Sequence, residues 1–155
     1  MAWYSGGLKF SCRRCRHCCS GEPGYVFLSK EEIEGLAAFL GVSFDEFLEK
    51  YARPVDRGTY YDYSLKELED YSCIFLGEEG CKVYPVRPLQ CATYPFWDYL
   101  MSDRALWNAE KEACPGIGTG ELHGEREIRE CLEAARRRDN YRRLKKNGSI
   151  TFFVG

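Results

Sequence analysis

The chain has 155 residues, 45% of them hydrophobic, with 11 Tyr, 9 Phe and 3 Trp, which is enough apolar material for one globular domain spanning residues 1–155. The formal net charge of -2 singles out no polyanionic partner. No apolar run approaches the roughly 18 residues that cross a bilayer and no charged leader precedes an apolar stretch, so the expectation is a soluble, cytoplasmic protein without a membrane partner.

Taken in order, the chain first presents Cys12, Cys15, Cys18 and Cys19, four thiols in eight residues. Thiolates are soft ligands that suit zinc, copper or iron-sulfur clusters rather than magnesium or calcium. In a reducing compartment nine cysteines, an odd number, favour metal or redox chemistry over a disulfide framework. Residues 25–28 read as a short strand. Ser29 and Glu32 then form a capping box; Ile33, Leu36, Ala37 and Leu40 follow at helical spacing, and Gly41 supplies the left-handed stop. The device repeats with Ser43 and Glu46, the stripe Phe44, Phe47, Leu48 and Tyr51, a staple from Val42 onto Phe47, and a stop near Ala52 imposed by Pro54. Residues 60–63 are a candidate strand.

Residues 71–97 carry Cys73, Cys81 and Cys91 together with Pro85, Pro88 and Pro95, a combination that excludes long helices. Two short strands, 73–76 and 81–84, are expected to flank a turn at Gly77 and Gly80 and to place both cysteines near one end of a hairpin. An irregular helix is expected between Trp97 and Ala113, broken by Cys114-Pro115-Gly116-Ile117-Gly118, with the glycines to Gly120 read as a flexible turn. A charged helix over 124–145 is supported by Glu125 with Arg129, Glu133 with Arg137 and Asp139 with Arg143, acid before base at four-residue spacing. Residues 149–154 close the chain as a short strand. The fold class is therefore α+β, a small loop-rich domain of short helices and strands arranged around a cysteine-ligated metal centre.

Residues 125–146 hold nine Lys/Arg against five Asp/Glu. Pairing within a solvated helix answers part of that charge, so a nucleic-acid partner is not expected. The CxxC turn lets two sulfurs face one metal, and Cys12, Cys15 and Cys18 repeat the spacing as bacterial ferredoxins do, while Cys114-Pro115 is similar to that motif's cysteine-proline ending. Adjacent Cys18 and Cys19 either serve different centres or bridge within one cluster. Eight thiols, Cys12, Cys15, Cys18, Cys19, Cys73, Cys81, Cys91 and Cys114, are thus the candidate metal ligands. Cys131 falls on the apolar face of the charged helix beside Ile128, Leu132 and Ala135 and is read as packing. Arg13, Arg14, Arg16 and Arg87 can offset thiolate charge, with solvated loop charge an equal reading for Arg13 and Arg14, whereas His17 and His123 are expected on the surface. No P-loop, dinucleotide-binding or zinc-protease motif is present, so any catalysis would have to come from the metal.

These residues together, CxxCxxCC at Cys12 to Cys19, Cys73-Ile74-Phe75-Leu76, Gly80-Cys81-Lys82-Val83-Tyr84, Arg87-Pro88-Leu89-Gln90-Cys91, Tyr94-Pro95-Phe96-Trp97 and Cys114-Pro115-Gly116-Ile117-Gly118, resemble the YkgJ-type cysteine cluster family over about residues 10–120. The family is described as zinc- or iron-chelating, with eight cysteines. The resemblance implies the ligand role for the same eight residues and leaves Cys131 outside. It is also similar to the cysteine module of the longer flagellin lysine methylases. Three functions follow as expectations: an iron-sulfur protein with a redox or electron-transfer role and a protein redox partner, a zinc-stabilised binding module, or a metal-dependent modifying enzyme.

Overall fold

The computed structural model describes residues 1–13, 24–146 and 149–153. In chain order the elements are β1 (Leu8–Phe10), α1 (Lys30–Leu40), α2 (Phe44–Tyr51), β2 (Ala52–Asp56), β3 (Tyr60–Leu65), β4 (Leu76–Gly77), β5 (Gly80–Cys81), a 3-10 turn at Tyr84–Val86, α3 (Leu89–Thr93), α4 (Asp98–Met101), α5 (Arg104–Glu110), β6 (Ile117–His123), α6 (Glu125–Arg137), β7 (Arg142–Lys146) and β8 (Ser149–Phe153). The class is α+β with short antiparallel strands. The chain forms two compact units, Met1–Cys18 with Gln90–Arg138, and Cys19–Leu89 with Asp139–Gly155. No helix among the described residues is long and apolar enough to cross a membrane.

The second unit contains the part of the sequence with the strongest local signals. Ser29 caps α1, its hydroxyl accepting the Glu32 N–H at 3.1 Å while Glu32 accepts the Ser29 N–H at 2.8 Å, and Gly41 closes the helix at φ 71°. Such a cap is worth about 1 kcal/mol over alanine. At α2 only half of the expected box forms: Ser43 accepts the Glu46 N–H, but the Glu46 carboxylate turns to Lys50 at 2.7 Å instead of reaching back. Ile33, Leu36 and Phe47 are fully buried and pack with Leu28, Tyr63, Leu65, Phe75 and Val83. Each such apolar side chain contributes about 1.5–3 kcal/mol.

Around this core runs an antiparallel sheet in the order β2-β3-β7-β8. As read from Pro54, α2 stops at Tyr51 with Ala52 as its cap, and Pro54 itself lies inside β2, opposite Tyr63. An edge strand tolerates the missing N–H. Residues 25–28 do not form the expected strand; they follow β3 through a single bridge from Phe27 to Ser64. Asp62 is buried on β3 between Arg57 at 3.1 Å and Arg142 at 3.4 Å, so its charge is paired where it leaves water. Arg142 reaches it because α6 ends at Arg137, eight residues before the expected stop, and the chain continues as β7 against β3. Asp139 and Arg143 are therefore not a helical pair, and Arg143 meets Asp45 at 3.3 Å.

In the first unit α4 and α5 replace the irregular helix, with Asp103 capping α5 through the Ala105 N–H at 2.8 Å. The core joins Phe96 stacked on Trp107 to Leu100, Met101, Ile117, Ile128 and Leu132. On the surface of α6, Glu125 and Arg129 pair at 2.8 Å as the spacing predicts.

Candidate metal centre

The first unit is organised by the pairing of β1 with β6, which joins residues more than 100 positions apart. Leu8 faces His123, Lys9 faces Leu122 and Phe10 faces Ile117, with a break in register between Lys9 and Phe10. The extra residues of β6 at that break are 118–121, part of the glycine-rich stretch read as a flexible turn, and the stretch is held closely. Ser11 donates its N–H to the Gly116 carbonyl at 3.3 Å and its hydroxyl accepts the Glu121 N–H at 2.8 Å. A Cβ on Gly116 would stand 2.2 Å from the Ser11 carbonyl oxygen, and one on Gly120, at φ 82°, would stand 2.1 Å from the Ser11 hydroxyl. These glycines allow two backbones to approach. Arg13 continues the contact through Thr119 Oγ1 at 3.0 Å.

Cys12 therefore sits between two anchored residues, Ser11 and Arg13, opposite the strand that follows Cys114. Cys114 itself is buried in a turn: its N–H donates to the Glu110 carbonyl at 2.9 Å and its carbonyl accepts the Ile117 N–H at 3.2 Å. Cys91 lies half-buried on α3 of the same unit. Three residues on, Tyr94 donates its hydroxyl to Glu110 Oε1 at 3.0 Å.

In the second unit Cys73 and Cys81 are half-buried against its core. The expected hairpin is present but shorter, with Leu76 opposite Cys81 and Gly77 opposite Gly80. Cys73 lies outside it and bridges to Glu67. Its carbonyl accepts the Leu76 N–H at 2.9 Å. Glu32, read only as a cap, uses its second oxygen to accept the N–H of Leu89, two residues before Cys91 in the chain. Arg87 stacks on the Tyr84 ring with its guanidinium 4.0 Å from the centroid.

Cys15, Cys18 and Cys19, with Arg14, Arg16 and His17, lie outside the described residues. Among the described residues no group of three or more His, Cys, Asp or Glu is arranged to hold a metal ion. As a donor set, the expected ligands fit zinc or iron: every one is sulfur, Cys114 is buried, and β1 with β6 brings the segments of Cys12 and Cys114 together.

Cys131 packs against the apolar core of the first unit, and burial pushes its thiol up, which disfavours the thiolate a metal needs. Cys131→Ala is expected to leave metal content unchanged, with at most a modest packing loss, whereas Cys15→Ala or Cys91→Ala lowers it. Elemental analysis of the three purified variants checks this, and equal losses would return Cys131 to the ligand set.

His123 is not a surface residue. Its Nδ1 lies 2.8 Å from Glu127 Oε1 and its Nε2 2.8 Å from the Phe10 carbonyl, and only the doubly protonated ring donates to both. Burial alone would lower its pKa, but the Glu127 carboxylate and the Phe10 carbonyl outweigh it and hold the ring above the ordinary value of about 6.5. A raised folded pKa means that this stabilisation is complete below the ordinary value and is lost as pH rises through the folded one. Urea unfolding midpoints are therefore expected to fall across that rise, and His123→Gln to flatten the dependence. A wild-type profile no steeper than the variant's would show that the contact does not hold the proton.

A family model described as "CxxCxxCC: Putative zinc- or iron-chelating domain" matches residues 11–115. The uncharacterised protein MJ0661 of Methanocaldococcus jannaschii is 31% identical over 97 residues, covering 60% of this chain. The chain spans about half the length of that relative, 48%. No solved structure matches. The chain belongs to the CxxCxxCC family of zinc- or iron-chelating domains.

Proposed function

We propose that this member of the CxxCxxCC family holds iron-sulfur metal through Cys12, Cys15, Cys18, Cys19, Cys73, Cys81, Cys91 and Cys114, and exchanges electrons with a protein partner. The observation that carries the reading is the way the all-sulfur donors are mounted. The four described ligands outside the N-terminal cluster arrive singly: Cys73 at a bridge, Cys81 on a two-residue strand, Cys91 on α3 and Cys114 in a turn. Structural zinc sites are commonly built from compact CxxC knuckles, and single cysteines on separate elements suit the larger span of a cluster. When bound, such a cluster supplies one-electron chemistry. The chain's own residues orient the sulfurs and, through the buried setting of Cys114, limit water around one of them.

The family description supports zinc and iron equally, so the test is one of composition. Protein purified anaerobically from iron-replete cells is expected to be brown, with iron and acid-labile sulfide in matching amounts and little zinc. A colourless, zinc-loaded protein from those cells would overturn the iron reading and make the fold a zinc-stabilised binding module.

A further inference from the structure

We propose that Arg57 and Arg142, held by the buried carboxylate of Asp62, form a binding site for a phosphate group in the second unit. The site includes none of the proposed metal ligands, so the inference stands apart from the reading of the metal. Strand alternation turns Tyr61, Tyr63 and Leu65 of β3 toward the core of the unit and leaves Tyr60, Asp62 and Ser64 on the opposite face. On that face Asp62 lies opposite Val55 of β2 and Arg142 of β7. Asp62 is nonetheless only 2% exposed, with Arg57 Nε 3.1 Å from Oδ2 and Arg142 Nε 3.4 Å from Oδ1. Each guanidinium also lies over a ring, Arg57 at 5.0 Å from the Phe27 centroid and Arg142 at 4.5 Å from that of Tyr60. Ring and carboxylate together restrict how each planar group can turn.

Both arginines approach Asp62 most closely through Nε, and among the described residues no group accepts a hydrogen bond from their terminal nitrogens. The 3.4 Å contact is an ion pair without hydrogen-bond alignment, so Arg142 is held by charge and by the Tyr60 ring while its donors stay uncommitted. The two side chains are 42% and 43% exposed, within reach of a ligand from solvent. Other cations of the sheet are occupied. Arg53 donates to the Gly24 carbonyl at 3.0 Å and pairs with Glu67 at 3.5 Å, Lys145 pairs with Asp56 at 2.7 Å, and Arg143, on the core side, meets Asp45 at 3.3 Å. Two guanidiniums on a single carboxylate leave one positive charge in excess. Guanidinium forks match oxyanions, and a carboxylate, with two oxygens, fills only one fork. A phosphate group offers three outer oxygens and a charge of about -1.5 to -2 at pH 7, enough to engage both.

The test is calorimetric titration of the metal-loaded chain with inorganic phosphate at fixed ionic strength, with acetate as the comparison. Wild type is expected to show one saturable phosphate site and to bind acetate at least about tenfold more weakly. Arg57→Lys and Arg142→Lys keep the charge that Asp62 needs but replace a planar fork with a point charge. Each is expected to weaken phosphate binding about tenfold, the effect of one lost charge-assisted hydrogen bond. Arg53→Lys, which changes a guanidinium already spent on Gly24, is expected to bind as wild type does. Glycerol phosphate run beside inorganic phosphate distinguishes an ester from the free ion, and saturable binding of either supports the site. If a lysine variant fails to fold, the Arg57 and Arg142 Nε–H resonances of wild type decide, and both must shift during the titration. Absence of a saturable site would show that the two arginines serve Asp62 alone. Undiminished binding in both lysine variants, equal weakening in Arg53→Lys, or acetate bound as tightly as phosphate also overturns the inference.

Discussion

Chelating the metal from this protein is expected to abolish the tertiary structure of the first unit. Its described secondary structure includes the two-stranded β1–β6 ribbon, whose β1 has three residues, and the helices α4 and α5 of four and seven residues. A lone two-stranded ribbon is marginal in water, and isolated helices below about 12 residues are as well. Packing around Trp107, Ile117 and Ile128 supplies part of the deficit. The free energy of a structural zinc site in small domains is about 10–16 kcal/mol, comparable with the entire 5–15 kcal/mol stability of an ordinary domain. A chain with eight candidate thiolates spread from residue 12 to residue 114 has few ways to replace such a contribution. All three tryptophans, Trp3, Trp97 and Trp107, belong to this unit, so their fluorescence reports on it separately. Stripping the metal should shift the emission to the red and erase the tryptophan bands of the near-UV circular dichroism. A chelated sample with native emission and a sharp thermal transition would show that packing alone suffices.

What the sequence revealed of this molecule depended on how far apart the interacting residues lie. Ser29, Glu32 and Gly41 specify both ends of α1 through contacts within a few residues, and that helix is legible at its boundaries. The same logic overreached at α2, where a competing Lys50 one turn away captured Glu46. Pro54 marked the end of α2 correctly, but the strand β2 that contains it was not legible, because pairing with β3 is a property of the whole sheet. The end of α6 was displaced for a related reason: Asp139 and Arg143 have helical charge spacing, but β3 offers residues 142–144 backbone partners and Asp62 offers Arg142 a buried carboxylate.

At the candidate site the ligand chemistry was legible because cysteine spacing carries it, and the packing of Cys131 followed from helical period. The supporting residues were hidden. His123 has a local clue in Glu127 four residues on, but its second acceptor is Phe10, 113 residues away. Tyr94 and Glu110 meet only because α3 and α5 are folded together. Gly116 and Gly120 read as a loop until Ser11 is placed against them.

That placement leads to the sharpest structural prediction. Gly116→Ala is expected to destabilise the first unit by at least the roughly 1–3 kcal/mol of an overpacked position, because its new methyl would stand 2.2 Å from a backbone oxygen that cannot rotate away. Gly120→Ala meets the Ser11 side chain instead, at 2.1 Å from the hydroxyl and 2.4 Å from its Cβ, and adds about 1 kcal/mol for an alanine at φ 82°. The two variants should therefore respond differently to a second change. Ser11→Gly removes both atoms in the path of the Gly120 methyl and should restore part of the loss in Gly120→Ala. The positive φ and the lost hydrogen bond from the Glu121 N–H keep the restoration incomplete. The same second change offers Gly116→Ala nothing, since the Ser11 carbonyl remains. Because Cys12 follows Ser11 directly, metal content should fall with thermal stability in both single variants and recover only in the Gly120 pair. Equal rescue of the two, or a Gly116→Ala protein as stable as the wild type, would mean that β1 does not pass where these contacts place it and that Cys12 is not positioned from β6.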